Sequence, residues 1–305
     1  MKNKRMLGNL LLLFTAMIWG MAFAFQRSGM ENIEPATFNA VRMALAAAAV
    51  GAFALLRRGA HRRQQGEEKT PDRARDRVTL LGGVCCGAFL ASASIFQQLG
   101  LVWTTAGKAG FLTALYMLLV PVIETLLFRR RHGARIWLAV ALGVAGLYLL
   151  CIRESFSLAR GDALELVCAL LFAGHILCCA HFAPRGDGVA IAAIQFAVAS
   201  LFSAVMAAIT EAPSLAGIAA AAVPILYCGL VSGGVGYTLQ IVAQKFTDPT
   251  AASLLMSLES VFAVLGGALL LGEKMSGREI VGCAVMFAAI VLVQLPAKGK
   301  EKLTA

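Results

Sequence analysis

Ten apolar stretches, each long enough to cross a lipid bilayer, dominate this 305-residue chain. They fall at about 7–25, 36–56, 79–99, 107–127, 136–152, 161–181, 189–210, 219–243, 250–271 and 277–295. A hydrocarbon core of roughly 30 Å takes about 20 apolar residues in a helix. Backbone polar groups must be satisfied within the segment, so each stretch reads as a helix. Charged residues make up 14% of the chain, against roughly 25% in a soluble domain. Ten spans and their loops nearly use up the chain, leaving no room for a soluble domain. The fold class is therefore all-α: a polytopic membrane protein. The first stretch follows Lys2, Lys4 and Arg5, but it is too long for a signal-peptide core and reads as a retained span.

The breaks carry turn and charge signals: Glu34-Pro35, the basic stretch Arg57 to Arg77, Arg129 to Arg131, Arg160-Gly161-Asp162, Arg185-Gly186-Asp187, Asp248-Pro249 and Gly272-Glu273-Lys274. The net charge of +10 is explained by its distribution. With the N-terminus in the cytoplasm, 20 of the 27 Lys and Arg lie in inner segments and five in outer ones. The remaining two, Arg42 and Lys108, sit within predicted helices. That asymmetry places both termini in the cytoplasm of a plasma-membrane protein and brings basic charge to the anionic inner leaflet. The lipid bilayer is thus the expected partner, and nucleic acid is not. The eight cysteines lie in or beside apolar stretches, without C-x-x-C pairs, and read chiefly as small buried residues.

The halves resemble each other. Shifting the first stretch by 153 residues places Gly8-Asn9 on Gly161-Asp162, Ala16 on Ala169 and Trp19-Gly20 on Phe172-Ala173. Shifting the third and fourth by 142 places Gln98 on Gln240, Thr105 on Thr247, Ala109 on Ala251 and Leu112 on Leu254. The two offsets differ by about the length that the basic loop adds to the first half. Five spans per half is an odd number, so the second half enters from the opposite side. The expected units are 1–153 and 154–305, an inverted repeat of the kind used by secondary transporters. Gly83-x-x-x-Gly87 and Gly229-x-x-x-Gly233 suit close helix packing in lipid.

These runs resemble the drug/metabolite transporter superfamily, within it the EamA-type ten-helix permeases. The resemblance rests on Ile18-Trp19-Gly20 with Phe23, Pro35 with Arg42, Thr105 through Leu112, and Pro121. The second half adds Gly161-Asp162, Phe172-Ala173, Gln195, Ala251-Ala252, Ser257-Leu258-Glu259 and Leu271-Gly272-Glu273. It implies carriage of small metabolites, often export of amino acids or related compounds, through a central cavity between the halves.

Polar groups at membrane depth cost about 2.5–3.5 kcal/mol each on insertion scales, so each needs an account. Glu259 lies mid-span: a proton-coupling or substrate-amine group, or a protonated side chain bonded to a neighbouring helix. Tyr237, Gln240 and Gln244 at i, i+3 and i+7 share one helical face, and Ser94 and Gln98 form a similar face. Each stripe either lines a wet cavity or bonds between helices. Trp19 and Tyr116 are candidate cavity aromatics. His175 can titrate near neutral pH; it is a relay or a packing residue. Arg42 and Lys108 either snorkel or attract a substrate carboxylate. Glu124 is expected to pair at the surface with Arg129 to Arg131. The expected partner is a small-molecule substrate, with possible proton coupling, and the expected assembly a monomer or homodimer. The sequence carries no G-x-x-x-x-G-K-[ST] loop, no convincing metal-ligand spacing and no Ser-His-Asp spacing. No cofactor, metal or enzyme activity is therefore expected. The rival readings are a lipid or polyprenyl-phosphate carrier, a membrane-embedded enzyme with catalytic groups near one interface, and a channel.

Overall fold

The computed structural model describes residues 2–65, 73–104, 106–152, 160–271 and 276–295. Thr105, the Gly272-Glu273-Lys274 turn and Arg153 lie outside the described residues. The described chain is helical: α1 (Lys2–Gly29), α2 (Pro35–Gln65), α3 (Arg73–Trp103), α4 (Ala106–Ala114), α5 (Tyr116–Leu126), α6 (Ala134–Cys151), α7 (Arg160–Phe182) and α8 (Gly188–Thr210). Two short helices, α9 (Leu215–Ala220) and α10 (Ala222–Leu226), lead into a π-helical stretch, Tyr227–Tyr237. Then come α11 (Thr238–Ala243), α12 (Pro249–Met256), α13 (Glu259–Leu271) and α14 (Gly277–Gln294). Nine described segments are long and apolar enough to cross a membrane, and a tenth apolar helix runs over Pro249–Leu265.

Helix starts follow local chemistry. Asp187 caps α8, accepting from the Val189 and Ala190 N–H groups. Asp248 caps α12, with Pro249 in the first turn. Ser276 and Glu279 form a reciprocal capping box on α14. One boundary differs from the sequence reading. The basic stretch from Arg57 was expected to be a loop, yet α2 stays helical to Gln65 and α3 already begins at Arg73. Arg, Gln and Ala are good helix formers, and 31 residues at 1.5 Å each reach about 46 Å, well past the hydrocarbon core. Both helices therefore project into water.

Repeat-related contacts recur across the molecule. In one seam between the halves, Gly8 lies against Ala243 and Thr247, and Thr247 donates to Asn9 at 3.4 Å. In the other, Gly161 lies against Gly100 and Thr104, and Thr104 donates to Asp162 at 2.8 Å. Each half thus presents the end of its third span to the start of the other half's first span. The fifth spans, α6 and α14, cross at Gly146 and Gly282. A Cβ at Gly146 would meet the Gly282 carbonyl at 3.0 Å, and one at Gly282 would meet the Gly146 carbonyl at 2.9 Å. The architecture is a ten-span bundle of two inverted five-helix repeats.

Three spans are irregular. The fourth is broken at Leu115, and the ninth at Ser257-Leu258. At both points the helical ladder tightens to i→i−3 bonds: Leu115 N–H to the Leu112 carbonyl (3.2 Å) and Leu258 N–H to the Leu255 carbonyl (3.3 Å). Leu115 and Ser257 are separated by 142 residues, the offset that superposes Gln98 on Gln240. The breaks are therefore equivalent positions of the two halves. The third irregularity is the π-helical eighth span, a winding that often marks functional segments.

Candidate functional site

The two breaks meet at the centre of the bundle. Tyr116 opens α5 and Glu259 opens α13; the Tyr116 hydroxyl donates to Glu259 Oε1 at 3.2 Å. Both side chains line a cavity shared with Trp19, Phe23 and Gln26 of α1, Arg42 of α2, Gln97 of α3, Thr113 of α4, Phe172 of α7, and Ser232 and Tyr237 of the π-helix. Discontinuous helices in corresponding positions of two halves are the usual makings of a midplane binding site.

The aromatic wall is held in place. Trp19 Nε1 donates to the Ser232 carbonyl at 3.1 Å, and its ring lies 4.5 Å from that of Tyr237. Gly236 makes this approach feasible: a Cβ there would stand 2.6 Å from Trp19 Nε1. Gly229 does the same for α2, since its Cβ would lie 2.9 Å from the Arg42 carbonyl. The second G-x-x-x-G motif thus brings α2 against the π-helix, and Gly236 beyond it brings α1.

Arg42 is 4% exposed. Its Nε donates to Asn39 Oδ1 at 2.8 Å, and the guanidinium carbon lies 5.5 Å from the Phe38 ring centre. A guanidinium so held is oriented, and Arg42 lines the cavity. The cavity has a volume of about 30 Å³, room for a water or two. At that volume it holds no organic solute without widening.

Trp19, Arg42, Tyr116, Tyr237 and Glu259 line the cavity together. Gln98 stands one step behind, with its amide donating to Gln26 Oε1. His175 lies behind Tyr237, ring centres 5.8 Å apart, with Nε2 3.0 Å from Gln195 Oε1. Ser94, Gln240 and Gln244 are buried but do not line the cavity; Gln244 donates to the Ile176 carbonyl at 3.0 Å. Lys108 is also elsewhere, its ammonium 2.5 Å from the fully buried Asp162 carboxylate. Glu124 does pair with Arg130, at 2.7 Å, but it is 4% exposed and also accepts from Thr250 at 2.7 Å. It joins α5 to α12 from inside the bundle.

Sequence reasoning missed Gln26, Gln97, Thr113 and Ser232 as lining residues. Gln26 was within reach: Trp19, Ala22, Phe23 and Gln26 follow the i, i+3, i+4, i+7 pattern of one helical face. Thr113 has a second partner, donating to Glu165 Oε2 at 2.7 Å, which no spacing in the sequence announces.

Comparison with known proteins agrees with this architecture. The chain is 27% identical over 296 residues to an "Uncharacterized transporter" of Archaeoglobus fulgidus, covering 96% of this chain and 87% of that one. A solved crystal structure superposes with a TM-score of 0.74 at 20% identity, over 94% of this chain and 96% of the other, which supports the fold. The profile of the EamA-like transporter family matches residues 6–152 and again 159–295. With ten spans, repeat-related breaks and a central cavity in place, the chain belongs to the EamA-like transporter family.

Proposed function

We propose that this membrane transporter carries a small zwitterionic metabolite with an apolar side chain, of the amino-acid class, by alternating access. One observation carries the reading: Arg42 and Glu259 line the same buried cavity, whose walls are Trp19, Tyr116, Phe172 and Tyr237. A guanidinium matches a carboxylate through paired charge-assisted hydrogen bonds. A carboxylate matches an ammonium, and both attractions strengthen away from bulk water. Aromatic walls accept the apolar remainder. Units 1–153 and 154–305 rock about the cavity, and the paired breaks at Leu115 and Ser257-Leu258 give it room to widen. Glu259 exchanges a proton for the substrate ammonium, coupling transport to the proton gradient. The Lys and Arg asymmetry supports cytoplasmic termini; a plasma-membrane location and export as the working direction rest on the resemblance to the family. Assembly is as a monomer or homodimer, since the cavity closes within one chain.

The test is ligand-induced thermal stabilisation of the purified protein in detergent. An apolar amino acid at about 100 times its Kd should stabilise the fold by about 2.7 kcal/mol. Its amide, lacking the carboxylate, and its N-acetyl derivative, lacking the ammonium, should not; nor should the parent act on Arg42→Gln. Equal stabilisation by all three compounds would refute the zwitterion reading.

A further inference from the structure

Two helices that bound the cavity, α3 and α7, also bury a second group of functional side chains, away from Arg42 and Glu259. Among the described residues, Cys86 of α3 with His175 and Cys179 of α7 bring their ligand atoms within 4.8 Å of one another. All three side chains are fully buried. Cys86 Sγ stands 3.6 Å from Cys179 Sγ and 3.5 Å from Cys178 Sγ. Cys179 Sγ lies 3.9 Å from His175 Nδ1 and 3.6 Å from Nε2. None of the four residues lines the central cavity.

We propose that Cys86, His175 and Cys179 form a binding site for a thiophilic divalent cation, with Cys178 as the entry ligand and occasional fourth donor. The distances suit such an ion. Metal–sulfur bonds of about 2.3 Å and metal–nitrogen bonds of about 2.0 Å in tetrahedral array set the sulfurs about 3.8 Å apart and sulfur from nitrogen about 3.6 Å. The Cys86–Cys179 and Cys179–Nδ1 separations need shifts of only a few tenths of an ångström, and Cys86 and His175 lie within 4.8 Å. The ring is already oriented: His175 Nε2, 3.0 Å from Gln195 Oε1, donates there in the tautomer that leaves Nδ1 free as ligand. A ligating histidine almost always spends its other N–H in this way. Charge decides the valence. Two thiolates and a neutral imidazole bring a divalent ion to zero net charge, the form that membrane burial favours. On binding, two S–H bonds give way to two sulfur–metal bonds, two protons pass to solvent, and nothing is oxidised or reduced. Cys178 is only partly buried and lies one turn from the α7 end at Phe182, which gives the ion its way in. Because the ligands sit on α3 and α7, a bound ion ties the third span of one half to the first span of the other.

Cadmium is a suitable probe, since its thiolate complexes absorb in the ultraviolet. The reduced full-length protein in detergent should bind one Cd²⁺ with a sulfur-to-cadmium charge-transfer band and unfold at a higher temperature when loaded. Cys86→Ser and Cys179→Ser should each lose the band and the shift, while Cys151→Ser and Cys283→Ser keep both. Gln195→Leu, which touches no metal, should weaken binding by roughly 10-fold to 100-fold. Each variant is checked for folding by its unfolding transition without metal. No stoichiometric band in the reduced wild type, or a band that survives in folded Cys86→Ser, would overturn the proposal.

Discussion

Arg42 and Glu259 are charged-type side chains that the fold places 4% exposed inside a membrane protein, where insertion alone costs about 2.5–3.5 kcal/mol each. Their geometry explains how that cost is tolerated: Asn39 accepts from Arg42, and Tyr116 donates to Glu259. Glu259→Gln keeps the size and the acceptor while removing the charge. It should therefore fold normally yet lose proton-driven accumulation, and an unchanged pH dependence of transport would contradict the proposed coupling role. Tyr116→Phe removes only the donor, and a smaller, binding-level defect is expected in the same ligand assay. Outside the spans, Asp187 provides a structural contrast. Burial pushes its carboxyl up, but the Arg57 ion pair and the N–H groups of Val189 and Ala190 outweigh this and hold it below the ordinary carboxylate range. A depressed folded-state value means that stability is present above the unfolded carboxylate pKa and lost as pH falls through the folded one. Asp187→Ala should lower stability by about 0.5–2 kcal/mol, mostly through the lost α8 cap. Asp187→Asn, which can still cap, should cost less and flatten the acid limb of a thermal-unfolding series.

At the scale of elements, the glycines of the π-helix and of the fifth spans set how closely helices approach. Gly236→Ala drives a methyl into the rigid Trp19 indole, and Gly146→Ala drives one to 2.9 Å from the Met286 backbone nitrogen. Each should cost about 1–3 kcal/mol by overpacking, and Gly236→Ala should also weaken ligand binding. Gly51→Ala, with nothing within 4 Å of its Cβ, should be neutral or slightly stabilising, read by the same unfolding measurement. The sequence announces most helix boundaries because Pro35, Asp187, Asp248 and Ser276 carry start chemistry in their own side chains. It is silent on the breaks. Leu115 and Ser257-Leu258 contain neither Gly nor Pro; at the second break the Ser257 hydroxyl instead donates to the Leu254 carbonyl at 2.8 Å, a local bond of the kind that bends helices. The π-helix is equally hidden, since Tyr227 to Tyr237 reads as an ordinary glycine-rich apolar span. The site was half legible for the same reason. Residues costly in lipid, Arg42 and Glu259, stand out in any sequence, whereas Thr113 and Ser232 gain their role only from the winding of the backbone around them. The Cys86–His175–Cys179 group was also unreadable, because its ligands meet across two helices.

For the whole molecule, the repeat found in the sequence reappears as paired contacts, Asn9 with Thr247 and Asp162 with Thr104, and as paired breaks. Inverted-repeat symmetry of this kind is what the proposed alternating access would use, each half taking the other's role in turn. The charge asymmetry makes a separate prediction: a fluorescent protein fused after Ala305 should fold and fluoresce, while a phosphatase that works only outside the cytoplasm should be inactive there. The reverse pattern would invert the orientation. The central claim, that one cavity bearing Arg42 and Glu259 moves a zwitterion across the membrane, is tested most directly by counterflow in proteoliposomes. Vesicles loaded with an unlabelled apolar amino acid should accumulate the labelled form through the wild-type protein, and neither Arg42→Gln nor Glu259→Gln should match it. Counterflow at wild-type rates through Arg42→Gln, or equal flux of the amide analogue, would contradict the account.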